Sequence, residues 1–438
     1  MRNLQKSRFQ LFGNANVNSM ILVFLVILSS YCVVSETNVT VSELRNVLKV
    51  YEPQMSKGKG LYIINYPKDN LVTREYFRGL NVTGLIVNDT HFQGLEEKAF
   101  EEVVFLKHFI VFTSSATKIP DFRFIRNSVI SIWFQNSRLT SVEGPNLQDL
   151  PLLETLSFRN NSIEYVAPDA FQGTEGVIYF DIAHNRLTYL PPDLFKPWAK
   201  LFMVELSHNQ LLHVDQLFFG TNPKIIHLDH NNLTDLDSVL HPGMYKVDQL
   251  DLSHNPFTRV TENSFIGKVN NTRIIRLNNC LIQEFNPRHY IGLRLTALDL
   301  SNNLIDETVN LYDANNTDNY LKTLLEKKGR GTLYATFSDI SHVFALIIQL
   351  SMTGNRIAML RYEHFSQLVG LRTLNLRNND IGQVDGDTFK FIRSSLALLD
   401  LSQNKIHSLQ GCVRFLSALL YLNLADNRIE VNIFLIDN

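Results

Sequence analysis

One position recurs along this chain at a spacing that few folds can accommodate. It falls at Thr90, Ser114, Ser137, Asn161, Asn185, Asn209, Asn231, Asn255, Cys280 and Asn303, and resumes at Asn355, Asn379, Asn404 and Asn427. The steps are 24, 23, 24, 24, 24, 22, 24, 25 and 23 residues, then 52, then 24, 25 and 23. A fixed period of this length is the signature of stacked units, each too small to bury its own apolar face. The core must therefore form between neighbouring copies.

Each copy has a readable physical logic. Leu250 and Leu252 alternate with polar residues, the pattern of a strand with one buried face. Asn255 then turns the chain inward, where its amide can satisfy backbone groups that the turn leaves unpaired. Phe257 and Val260 return to the core. Many copies continue with an apolar pair, as at Ala99-Phe100, Ala170-Phe171 and Leu194-Phe195. Strands stacked about 4.8 Å apart would form one continuous parallel sheet.

Between about Val82 and Val431 the chain resembles the extracellular leucine-rich-repeat family of the 24-residue type, which includes Toll-like receptor ectodomains, chaoptin and secreted insect immune repeat proteins. The resemblance rests on Val204–Leu211 (VELSHNQL) and its thirteen fellow copies. It implies an α/β solenoid, a horseshoe of about 14 recognisable repeats with the parallel sheet on its concave face. It also implies a binding protein, because the family carries specificity in scattered surface residues and not in a catalytic motif.

The chain begins with a basic start (Arg2, Lys6, Arg8) and an apolar run from Met20 to Val34, so residues 1–35 are expected to be a secretory signal. Seven Asn-x-Ser/Thr sequons follow, at Asn38, Asn81, Asn88, Asn160, Asn232, Asn270 and Asn315. Together they predict a secreted, extracellular glycoprotein. No later stretch is long and apolar enough to span a membrane. The 41 basic and 43 acidic residues balance, which argues against a nucleic-acid partner. Residues 36–81 are expected to cap the first repeat without cysteines, through a short helix at Ser42–Tyr51. Residues 82–306 form a first repeat block, and residues 347–438 a second whose abrupt ending suggests truncation. Between them, residues 307–346 are either a degenerate repeat or an inserted loop, with a helix around Leu321–Leu325 and the basic run Lys327–Arg330. Outside the signal only Cys280 and Cys412 remain, several repeats apart, and both are expected to be buried free thiols.

Residues alternating with the buried leucines should face a partner. An apolar column near the amino end contains Ile86, Ile110, Phe112 and Trp133, and is either an interaction surface or a face that the amino-terminal segment folds over. An acidic column contains Asp181, Glu205, Asp251 and Asp299, with Asp229 beside it and Arg276 as the main opposing charge; it suggests a basic partner surface. A histidine column (His184, His208, His230, His254, with His227 nearby) suggests pH-dependent binding. Asp and His are also metal ligands, but His-Asn is a recurrent habit of the family, so no metal and no cofactor is assigned. No nucleophile motif or phosphate-cradling loop appears, and an enzyme is not expected. The expected partner is a protein ligand or co-receptor, with a homo- or heterodimer through the carboxyl-terminal repeat as one arrangement. The alternative is the ectodomain of a cell-surface receptor or adhesion protein, and a hydrolase using an Asp/His surface is the distant third.

Overall fold

A computed structural model of the 438-residue chain describes residues 61–64, 74, most of 83–308 and most of 347–429. The expected signal, the helix at Ser42–Tyr51, the helix and basic run at 321–330, and sequons Asn38, Asn81, Asn270 and Asn315 lie outside the described residues. The chain divides into two compact units, Met1–Ile182 and Ala183–Asn438.

In the first unit, strands Leu61–Ile64, Gly84–Asn88, His108–Thr113, Ser131–Phe134, Thr155–Ser157 and Tyr179–Asp181 run parallel in chain order. Their register aligns Leu85, Phe109, Ile132, Leu156 and Phe180 in one buried row. Phe109 packs edge-on against Phe100 and Phe122, with ring centroids 5.5 and 5.4 Å away. Such pairs add to the burial of large apolar side chains. These contacts come from different copies, as a core shared between neighbours requires.

The second unit repeats the plan with strands Met203–Glu205, Ile225–His227, Gln249–Asp251, Ile274–Arg276, Ala297–Asp299, Gln349–Ser351, Thr373–Asn375, Leu398–Asp400 and Tyr421–Asn423. Val204, Ile226, Leu250, Ile275 and Leu298 form its buried row. The return segments hold 3-10 turns, such as Leu236–Ser238 and Tyr362–Phe365, and short paired strands such as Met359–Leu360 with Gln383–Val384. No α-helix occurs among the described residues, so 3-10 turns fill the helical side of the expected α/β solenoid. A coil of about two dozen residues leaves too few after the strand and Asn turn for a multi-turn helix, and a 3-10 turn needs only three or four.

The recurring Asn is the internal brace. Asn231 is buried, and its Nδ2 donates to the carbonyls of Leu206, Leu228 and Asp229 at 3.0, 3.1 and 3.2 Å, while Oδ1 accepts from the Leu211 N–H at 3.0 Å. Each Asn thus ties its own turn to the preceding coil. Cys280 does this only weakly, with its Sγ 3.7 Å from the carbonyls of Leu252 and Asn278. The Phe257 N–H, which meets the Cys280 thiol where other copies offer an amide oxygen, also donates to the Asn255 carbonyl at 2.9 Å. Both Cys280 and Cys412 are free and buried, as expected, and burial pushes their thiols up to about 11 and about 12.

The 52-residue step is a single step of the solenoid. Strand Ala297–Asp299 pairs directly with Gln349–Ser351, and Asn355 Nδ2 donates to the Leu300 carbonyl at 3.0 Å. No strand of the sheet enters between them. Residues 309–346, which carry the extra length, lie outside the described residues.

His108 gives the first unit an acid sensitivity. Its ring lies 3.1 Å from Ser131 Oγ, and burial, followed by the neighbouring Lys107 charge, lowers its pKa to about 4. The folded state therefore holds His108 neutral while the unfolded chain takes up a proton near pH 6.5. Stability should fall as pH drops from 6.5 towards 4, by about 2–3 kcal/mol in all. Unfolding midpoints of the wild type and a His108→Gln variant at pH 7 and pH 4.5 test this. The variant should lose less stability on acidification, and equal losses in both proteins would rule out His108 as the sensor.

Candidate recognition surface on the sheet

The apolar column at the amino end is interior. Ile86, Ile110, Trp133, Ser157 and Asp181 align across the first unit, and all are buried. Both faces of this sheet are therefore covered. The Trp133 ring is 1% exposed and its Nε1 donates to Thr155 Oγ1 at 3.3 Å. Phe112, half-buried, meets it edge-on with centroids 6.5 Å apart. Trp133 is thus core and not a contact surface, which corrects the expectation from alternation alone. Sequence alternation reports which side of a strand a residue takes, not whether that side is covered.

Asp181 is corrected in the same way. It is 0% exposed, with Arg159 Nη1 at 3.7 Å, and its Oδ2 accepts from Ser157 Oγ at 3.2 Å and from the Tyr179 hydroxyl at 3.3 Å. Gln135 Nε2 extends the network by donating to Ser157 Oγ at 3.1 Å. A carboxylate kept inside a fold needs such partners, and this one has them.

The remaining charged residues meet on the second unit. The register places Glu205, His227, Asp251, Arg276 and Asp299 side by side on successive strands. The row is not an uncompensated acidic column, because His227 stands inside it. Its Nδ1 lies 2.7 Å from Glu205 Oε1. Burial opposes the charge on His227, but Glu205, then Asp251 and Asp229, outweigh it and raise the pKa to about 9. Arg276 Nη1 lies 3.5 Å from Asp251 Oδ2. The signs therefore alternate: Glu205 negative, His227 positive, Asp251 negative, Arg276 positive, Asp299 negative. Cross-strand opposite charges stabilise a sheet, and like charges would not.

The Asp-Leu-Ser triplets have their own cause. Asp251, Asp299 and Asp400 each accept from the backbone N–H and the hydroxyl of the serine two residues on, with hydroxyl distances of 2.7, 2.5 and 2.6 Å. This local ring holds the chain as it leaves the strand.

The histidine column is a stack of rings. His184, His208, His230 and His254 lie with successive centroids 4.0, 3.9 and 3.8 Å apart, each pair within 16° of parallel. All four have φ between 54° and 55°, in the left-handed region. Asn279, Asn302, Gly354 and Asn378 hold the same place in later copies, also at positive φ. Asn, Asp, His and Gly tolerate this conformation best, and they fill the position in most copies, with Gln403 (φ 56°) as an exception. The His-Asn habit thus has a backbone origin. The stack ends where Asn279 Nδ2 donates to His254 Nε2 at 3.1 Å. Burial, then the neighbouring His230, lowers the pKa of His254. Asp229 sits against this stack, with Oδ2 3.0 Å from His230 Nδ1. The ring stacking was not legible from spacing, which fixes columns but not side-chain rotamers.

These features define a leucine-rich-repeat solenoid. A model of the leucine rich repeat matches residues 151–211 and 370–429. Over 386 residues the chain is 26% identical to human podocan-like protein 1, covering 81% of this chain and 72% of the relative. It is 27% identical to rabbit (Oryctolagus cuniculus) lumican over 189 residues, 42% of this chain and 79% of that one. In fold it superposes on Toll in the Drosophila Toll–Spatzle complex with a TM-score of 0.62 at 19% identity, covering 82% of this chain and 46% of Toll. Against the TLR13–ssRNA13 complex the TM-score is 0.60 at 19% identity, with 80% of this chain and 52% of that chain covered. The chain thus spans about half the length of those two receptor chains. The chain is thus a leucine-rich-repeat solenoid in fold, similar in sequence to podocan-like protein 1 and lumican.

Proposed function

We propose that this chain is a secreted glycoprotein that recognises a protein ligand through the sheet face of its second unit. The alternating row from Glu205 to Asp299 carries this reading. It is a rigid charge pattern of both signs, held on adjacent strands and half open to solvent. Complementary patterns of this kind confer specificity and orient encounter more than they add raw affinity. Arg276, with its side chain 39% exposed, is the anchor within reach of a partner. Secretion is supported by the basic start and apolar run at the amino end. Glycosylation is supported by the sequons, of which Asn160 and Asn232 are exposed. No helix among the described residues is long and apolar enough to cross a membrane. A part in innate immunity belongs to the same proposal, supported by the fold shared with Toll, whose complex with Spatzle is described as a hub in development and innate immunity.

A photo-crosslinking side chain placed at Arg276, or instead at Asp387 on the exposed return segment, tests the reading in extracellular fluid of the source organism. A discrete crosslinked partner is expected from position 276 and not from 387. Crosslinking from 387 alone, or equally from both, would overturn the assignment of the sheet face.

A further inference from the structure

We propose that His208, Asp229 and His230 form a binding site for one borderline divalent transition-metal ion, of the zinc, copper(II) or nickel class. One ligand atom from each of the three lies within 4.8 Å of the others, and all three side chains are half-buried. Two imidazoles and a carboxylate suit these metals better than calcium or magnesium, which take oxygen ligands.

Two independent features of the fold assemble the site. The first is the left-handed column, which fixes where each histidine leaves the backbone. His208 and His230 both have φ of 54°. The His208 N–H donates to the Asp229 carbonyl at 2.9 Å, and the His230 N–H to the Ser253 carbonyl at 3.0 Å. The second is Asp229 itself. It stands two residues before the recurring Asn231, where neighbouring copies carry Ser207, Ser253 and Ser301. In the copies with Asp251 and Asp299, that serine hydroxyl closes the local ring on the aspartate. The copy with Asp229 has His227 in place of that aspartate, so its carboxylate is turned to a different use, 3.0 Å from His230 Nδ1.

The rings of His208 and His230 stack 3.9 Å apart and 16° from parallel, with one possible ligand atom of each within 4.8 Å of the other. Binding one ion requires each ring to rotate about its side-chain torsions towards the shared point, with no movement of the backbone. Three protein ligands leave a further coordination position for water or for a group from a partner.

Titration of untagged full-length protein with zinc chloride, followed by calorimetry, tests the site. One zinc per chain is expected, with no heat from calcium chloride. His230→Asn introduces a residue that the same column accepts at Asn279, and Asp229→Ser introduces the residue of the neighbouring copies, so both variants should fold. Each should weaken zinc binding by more than about 10-fold, since even partners outside the coordination shell are worth 10–100-fold. His254→Asn, which shortens the stack outside the trio, should leave the affinity unchanged. The absence of zinc binding, or an affinity that survives the first two variants, would overturn the proposal. So would an equal loss in His254→Asn, which would assign the metal to the ring stack at large.

Discussion

Replacing Asp181 with Ala is expected to remove about 3–5 kcal/mol from the stability of the first unit, the usual cost of stripping one partner from a buried ion pair. Arg159, with only 15% of its side chain exposed, would keep a charge inside the fold with no carboxylate facing it. The hydroxyls of Ser157 and Tyr179 would lose their shared acceptor at the same time. Domains are stable by only about 5–15 kcal/mol, so this one change would consume much of the margin. Asp181→Asn keeps an acceptor oxygen and should cost less, about 1–3 kcal/mol. The chain has two tryptophans, Trp133 and Trp198, so a Trp198→Phe background leaves Trp133 as a fluorescent reporter within the same unit. Urea unfolding followed by that signal gives the loss directly. A midpoint unchanged in Asp181→Ala would mean that the carboxylate is solvated and carries none of this load.

The second large effect lies in the Asn ladder. Asn255 is 1% exposed, and its Nδ2 donates to the carbonyls of Leu228, Leu252 and Ser253 at 2.9, 3.0 and 3.2 Å. Its Oδ1 accepts from the Leu233 N–H at 3.0 Å. Asn255→Ala would strand several of these backbone groups out of reach of water, at about 1–3 kcal/mol each and about 3–5 kcal/mol together. Asn255→Asp should be no better, because a carboxylate has no hydrogen to offer three carbonyls and would place a charge against them. Because a solenoid is held by neighbour contacts, the damage should stay local at first. Hydrogen exchange would then show the Leu233 amide losing protection before amides near Leu374. Wild-type protection at Leu233 in Asn255→Ala would contradict the role given to the ladder.

Much of this architecture is written in the period. The spacing of Asn161 to Asn427 sets the number of coils, and the flanking leucines set which strand face is buried. The same spacing misjudged what lies above the sheet. Trp133 and Asp181 occupy positions that alternation assigns to solvent, yet both are interior, because burial of a face depends on what packs over it and not on the strand. The charged column was legible as a set of acidic residues, but its meaning changed once His227 was found in register between Glu205 and Asp251. The count from Asn231 places His227 four residues back, as it places Glu205 before Asn209, so register arithmetic could have found it. The histidine stack is different. That four residues share a column follows from sequence, while parallel rings less than about 4 Å apart follow from side-chain torsions that no spacing encodes.

The account rests most heavily on the claim that the sheet face of the second unit is where a protein ligand is recognised. The affinity of a partner captured from position 276, measured against wild type, Arg276→Ala and an Asp387→Ala control of equal thermal stability, tests it most directly. Recognition through the charged row predicts a loss of at least about tenfold for Arg276→Ala, which is about 1.4 kcal/mol of binding free energy, and no change for the control. An affinity that Arg276→Ala leaves untouched would contradict it and move the ligand to another surface of the solenoid.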